Sequence, residues 1–302
     1  MALDLLKEKS RIEEFLNKSP HQLSVFSFVN IFLWKDFFRF TLDEINGNLC
    51  VFAEDSVGCF LYLPPLGERV SREVLTECFR RMNVKNKNPG VSRVENMETD
   101  DTELLPSPAF RFFKKSDEYI YRAKDIVSLK GNLFKSKRSS YNQFIKHYDY
   151  EFLPYIDSMK DECLALYRAW KKGKFKSNND ANVRQMLEEN ETVHHLALTH
   201  AKILELAGYI VRIAGRIVAY SFGYALNKTT FCILFEITDL NVKGLSVFIF
   251  REFCAELVKQ KVSLINVMDD FNLENIKKVK LSFRPHAVIP CFNMSQKVSR
   301  HE

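Results

Sequence analysis

No stretch of this 302-residue chain is apolar for anything near the roughly 20 residues that span a bilayer. The N-terminus, MALDLLKEKSRIEEFL, carries a charge every few residues and has no uninterrupted apolar core. It is therefore expected to be an amphipathic first helix, with Leu5, Leu6, Ile12, Phe15 and Leu16 as its apolar positions, and not a signal peptide. Cysteine is scattered: seven residues, at 50, 59, 78, 163, 232, 254 and 291, an odd number with no C-x-x-C pair. That argues against a disulfide framework or a zinc site, and for buried thiols in a reducing cytoplasm. His194, His195 and His200 lack metal-ligand spacing. G-x-S-x-G, P-loop and Rossmann fingerprints are missing, so hydrolase and nucleotide-fold readings have no support. There is no low-complexity segment. Charge is not one-sided either: 44 Lys and Arg against 38 Asp and Glu leave +6, which permits an anionic partner without requiring one.

What is present is globular. Apolar residues make up 46 %, 26 of them Phe, and the length allows two domains with a core each. One pattern occurs twice. Residues 37–63, FFRFTLDEINGNLCVFAEDSVGCFLYL, and 208–237, GYIVRIAGRIVAYSFGYALNKTTFCILFEI, are β-prone runs broken by the short turns Asn46-Gly47, Gly215-Arg216 and Asn227-Lys228. Each runs into a Gly-containing loop and a helix-period stretch, near 70–82 and 244–260. A three-strand meander followed by a loop and a helix is the centre of an acyl-CoA N-acyltransferase-like (GNAT-like) fold. The fold class predicted is thus α/β (α+β): two tandem GNAT-like lobes, each a mixed, largely antiparallel sheet with flanking helices. The lobes are expected at 1–128 and 129–302, the second carrying the active-site cleft.

Between these landmarks the pattern predicts a helix within 24–38 and two strands around a Ser116-Asp117 turn. Residues 130–148 should form a helix with five Lys or Arg and no acid. A strand follows at YEFLPYI, then three helices near 158–172, 180–190 and 194–206. Beyond the second meander come a strand at 263–268, a short helix at 272–280 and a last strand near 286–292.

Three stretches resemble one bacterial family: SFVNIFLW (27–34), LKGNLFKSKRSSYNQF (129–144) and INVMDDFNLENIKKVKLSFRP (265–285). The family is that of the C-terminal catalytic domain of phosphatidylglycerol lysyltransferases. Lys137, Arg138, Asn142 and Phe144 match its basic-helix pattern, with Ser139 in place of Asn. Asn266, Asp270, Lys280, Ser282 and Pro285 match its C-terminal pattern, with Phe283 for a Tyr and Asn275 for a Gly. The resemblance implies tandem GNAT-like lobes and transfer of an aminoacyl or acyl group, with aminoacyl-tRNA as donor, to an acceptor amine or hydroxyl. By that resemblance Lys137, Arg138, Asn142, Asn266, Asp270 and Ser282 would bind substrate. Contact with a membrane surface would be peripheral. The alternatives are an acyl-CoA-dependent N-acyltransferase and a non-catalytic GNAT-fold binding protein.

The residues add their own readings. Glu236 ends an apolar strand, FCILFE, at the expected cleft. It would be either a general base with a burial-raised pKa or the partner of Lys280 in a buried pair. Both are candidate catalytic residues. Gly244, in the loop Asn241-Val242-Lys243-Gly244-Leu245-Ser246, is either a cofactor-binding glycine facing a pyrophosphate or a helix-start glycine. Asn241 and Ser246 there, and Glu68 in the first lobe's loop, disfavour acetyl-CoA or another acyl-CoA. At about 100° per residue, Lys135, Arg138, Asn142 and Lys146 form one stripe of the basic helix, while Lys137 falls within the apolar one. That stripe is either a solvated face or a contact for the phosphates of tRNA or another anionic ligand. Asp270 would cap the following helix or bind a cationic aminoacyl group.

Overall fold

The structure is a computed structural model that describes residues 3–67, 71–100, 109–177 and 180–297. Glu68 lies outside them. The chain divides into two compact units. One comprises Met1–Glu118, Asp269–Glu274 and Val288–Glu302; the other comprises Tyr119–Met268 and Asn275–Ala287. The sequence pattern places everything beyond 129 in one lobe; the last strand instead belongs with the first unit, because its backbone bonds to a strand formed two hundred residues earlier.

The first unit opens with α1 (Leu5–Leu16) and α2 (Phe28–Leu33). The buried positions of α1 are Leu5, Ile12, Phe15 and Leu16. The meander β1 (Arg39–Ile45), β2 (Asn48–Glu54) and β3 (Cys59–Leu61) is antiparallel throughout. Asn46-Gly47 turns its first hairpin with φ of 49° and 76°, the combination that matches strand twist. α3 (Arg72–Lys85), N-capped by Ser71, buries Val74, Leu75, Cys78, Phe79 and Met82. β4 (Arg93–Met97) runs parallel to β3 and antiparallel to β11 (Ala287–Gln296). β5 (Phe110–Arg122) completes the order β1-β2-β3-β4-β11-β5. β5 is one strand where the sequence suggests two: Ser116 is buried in it, and Lys114 pairs with Asp117 along it, so no turn forms.

The second unit takes over β5 at Tyr119. It then adds α4 (Ala123–Ser128), the basic helix α5 (Lys135–His147), β6 (Glu151–Pro154), α6 (Lys160–Ser177) and α7 (Ala181–Thr199). α7 is continuous where two helices were expected. The meander β7 (Ala207–Ile213), β8 (Arg216–Ala225), β9 (Thr230–Thr238) matches the sequence reading. α8 (Leu245–Lys259), β10 (Leu264–Asp269) and α9 (Glu274–Ser282) follow, in the strand order β5-β10-β9-β8-β7-β6. α6 and α7 pack on one face of β8 and β9 through Cys163, Leu164, Tyr167, Leu198, Tyr220 and Phe222. α8 covers the other face, with α5 against its first turns through Phe144 and Phe248, whose rings are 4.4 Å apart.

Candidate active site

The site of the second unit is made by a fault in its sheet. β9 pairs with β10 only from Leu264↔Thr230 to Asn266↔Cys232. Beyond that step the two strands continue unpaired, which opens a gap between them. On the β10 side the buried Asn266 produces the opening: its Oδ1 accepts the Met268 N–H at 2.7 Å, and Met268 adopts a φ of 61°. On the β9 side the register against β8 slips. Phe222 faces Phe235 while Gly223 faces Ile233, so Leu234 is a bulged residue. Gly223 makes this possible, since a Cβ there would lie 2.1 Å from the Cys232 carbonyl oxygen.

The bulge exchanges faces. Phe231 and Ile233 belong to the α8-side core, whereas Phe235 and Ile237 belong to the α6–α7 side. Glu236 is thereby carried to the α8 face, where its charge acts on the Cys254 thiol of α8. The Glu236 side chain is half-buried and makes no hydrogen bond or ion pair with any described residue. Burial alone pushes its carboxyl up to about 8. The paired alternative therefore does not form. Lys280 donates instead to the carbonyls of Val267 at 2.5 Å and Met268 at 3.1 Å, and its own carbonyl accepts from Tyr121 Oη. Lys280 thus ties α9 to the diverging end of β10.

Lys137 is half-buried on α5, with its Nζ 3.9 Å from the centroid of the Phe283 ring. Phe283 packs in turn on Phe250 of α8, with centroids 5.2 Å apart. Burial lowers the Lys137 pKa, and no described carboxylate pairs with it. Arg138 points elsewhere: its guanidinium binds the carbonyls of Leu129 and Gly131 at the end of α4. Asn142 is exposed. Ser282 donates to the Val279 carbonyl at 2.5 Å within its own helix. Asp270 is buried in the first unit's segment, and its Oδ1 accepts from Asn272 N at 2.9 Å.

Gly244 begins α8 with a φ of 81°. A Cβ there would lie 2.2 Å from the Ser140 carbonyl oxygen of α5. The glycine is required by the close approach of two helices. The N–H groups of the loop before it are engaged: Asn241 N donates to Asp239 Oδ1 and Val242 N to the Asp239 carbonyl within the loop, and Lys243 N donates to Tyr148 Oη at the end of α5.

Sequence inspection missed Phe283 as the floor under Lys137, and it missed the bulge; neither has a local signal stronger than one glycine in a strand. Nor does the sequence mark His194 beyond its lack of metal-ligand spacing. His194 is buried, its Nδ1 lies 3.0 Å from Tyr220 Oη, and burial pushes its pKa down to about 3. Among the described residues no group of His, Cys, Asp and Glu is arranged to hold a metal, and no helix is long and apolar enough to cross a membrane.

Known proteins with this architecture are informative. A conserved protein of unknown function from Bacteroides thetaiotaomicron VPI-5482 matches with a TM-score of 0.86 at 24 % identity, over 98 % of this chain and 99 % of that one. L-PGS from Bacillus licheniformis matches with a TM-score of 0.67 at 17 % identity, over 95 % and 91 %. FemX matches with a TM-score of 0.66 at 7 % identity, over 97 % and 96 %. At these identities the likeness is one of fold, and the fold is GNAT-like. A comparison with curated proteins returns no match. The family model "Phosphatidylglycerol lysyltransferase, C-terminal" matches residues 17–294. The chain belongs to the family of phosphatidylglycerol lysyltransferase C-terminal domains.

Proposed function

We propose that this protein is an aminoacyltransferase whose reaction takes place in the gap between β9 and β10, with Glu236 as general base. The observation that carries the proposal is a carboxyl group held half-buried with no partner among the described residues, its pKa raised to about 8. A carboxylate left unpaired in a core is costly, and a structural role normally provides a cation. Here the lysine of the C-terminal family pattern, Lys280, is engaged by two carbonyls. In its ionised form Glu236 takes the proton from an acceptor amine or hydroxyl as that group attacks the acyl carbon of the donor ester; the ester C–O bond then breaks, and the released hydroxyl of the donor takes its proton back from Glu236. Lys137, desolvated and without an anion, supplies the positive charge for an anionic donor, for which the family points to aminoacyl-tRNA. The seven free, buried thiols agree with a cytoplasmic setting.

The acyl-CoA alternative is weaker. The N–H groups of residues 241–243, which would face a pyrophosphate, are already engaged, two by Asp239 within the loop and one by Tyr148 Oη, and the Ser140 carbonyl lies against Gly244. The test is calorimetric titration with aminoacyl-tRNA and, separately, with acetyl-CoA, followed by transfer of the radiolabelled aminoacyl group to candidate acceptors. Binding of tRNA that weakens with salt, and weakens further in Lys137→Met, supports the proposal. A micromolar acetyl-CoA dissociation constant with no tRNA binding overturns it in favour of the alternative.

A further inference from the structure

The first unit carries a cavity that the transfer reaction does not use. It is an open notch of about 230 Å³ beside α3. Its origin is geometric. Asp43, Cys50, Phe52 and Cys59 occupy one face of the β1–β2–β3 meander, as their cross-strand register requires. α3 covers β2 and β3 through its buried side chains, and the C-terminal half of its outer edge leaves a notch over the sheet. Phe52 and Cys59 form the floor, each almost wholly buried. Val84 is 77 % exposed and forms a bare apolar wall.

The rim is cationic, and its charges are unequally balanced. Arg80 forms a two-point contact with Glu77 at 2.7 and 2.8 Å. Arg81 binds Glu77 at 2.8 Å and reaches across the notch to Asp43 at 2.9 Å. Together they hold the Glu77 carboxyl down to about 2. Lys85, one turn beyond Arg81, makes no hydrogen bond or ion pair with any described residue. A lysine that only completes the C-terminal end of a helix needs no cavity beside it. This one stands at the mouth of a pocket with an apolar floor and an apolar wall.

We propose that this pocket binds a small amphiphile with an anionic head, its apolar body on Phe52, Cys59 and Val84 and its head on Lys85. The volume falls just below the usual range of ligand sites, which restricts the body to a short chain or a single ring. Neither α8 nor the β9–β10 gap takes part, so the proposal stands or falls independently of the transfer reaction.

Calorimetric titration of the full chain at low salt with sodium octanoate tests it, with 1-octanol as the uncharged probe of similar body. Octanoate should bind one-to-one, about tenfold or more tighter than octanol. Lys85→Gln should reduce octanoate to the level of octanol, and Lys85→Arg should restore it. Lys85 is exposed, so both variants are expected to fold, which circular dichroism melting checks. Absence of saturable octanoate binding, equal binding of octanol, or octanoate binding unchanged in Lys85→Gln would each overturn the proposal.

Discussion

Two ionisable side chains of the second unit, Glu236 and Lys137, have no oppositely charged partner among the described residues. Such groups usually serve a ligand or destabilise the fold, and substitution separates these from structural charges. Glu236→Gln should preserve or raise the melting temperature while abolishing aminoacyl transfer. The wild-type rate should rise with pH through about 8, as the carboxyl ionises, and then level off. A variant that loses several kcal/mol of stability would instead reveal a hidden partner for Glu236. Lys137→Met should likewise leave urea midpoints unchanged, since it replaces a desolvated cation by an apolar chain over Phe283. Lys280→Met should behave in the opposite way. It leaves the Val267 and Met268 carbonyls without their donor, at a cost of about 1–3 kcal/mol. The family pattern groups Lys137 and Lys280 together; their surroundings assign them different work.

At the scale of the element, the bulge at Leu234 decides where Glu236 points. Strict alternation along FCILFE would put Glu236 on the face opposite Phe231 and Ile233; the slip against β8 brings it to their face, toward α8, while Phe235 and Ile237 turn to α6 and α7. Gly223→Ala should therefore act through the strand. Its Cβ would meet the Cys232 carbonyl oxygen at 2.1 Å, so the backbone must shift, at about 1–3 kcal/mol. Transfer should fall by more than the loss of folded protein accounts for. Comparing kcat per folded molecule, with folding measured by circular dichroism, checks this. An unchanged kcat would show that the bulge is not needed to aim the carboxyl.

For the whole molecule, two buried groups titrate in opposite directions. Glu236 has a folded pKa of about 8, against an ordinary carboxyl value of 4.5. Between those values the folded state keeps a proton the unfolded state has released, so its contribution to stability falls as pH rises. His194 has a folded pKa of about 3, against an ordinary 6.5. Its contribution is lost as pH falls below 6.5, because the unfolded chain takes up a proton that the folded state refuses. The two oppose each other from about 4.5 to 6.5. Above that window Glu236 acts alone, with a slope of at most about 1.4 kcal/mol per pH unit. Urea midpoints should decline between pH 6.5 and 8 in the wild type and much less in Glu236→Gln. Equal declines would assign the effect to other groups.

Much of the architecture was legible in the chain because its causes are local. Alternating β-prone runs closed by Asn-Gly and Gly-containing turns determine both meanders, and helical periodicity determines α1, α3, α5 and α8, each within a few residues. The family could be named from matching residues at fixed spacings, and the location of Glu236 at the end of a strand could be read directly. Other features depend on residues far apart in sequence. That Ser116-Asp117 continues a strand follows from neighbouring strands, not from the dipeptide. That the last strand joins the first unit follows from pairing with β4. That Gly244 accommodates Ser140, that Arg138 caps α4, and that Lys280 binds carbonyls while Glu236 remains alone are all consequences of packing. A sequence states which groups can bear charge or donate a hydrogen bond. Which of them are already satisfied, and which are left for a ligand, is decided only when the tertiary structure brings their partners within about 3 Å.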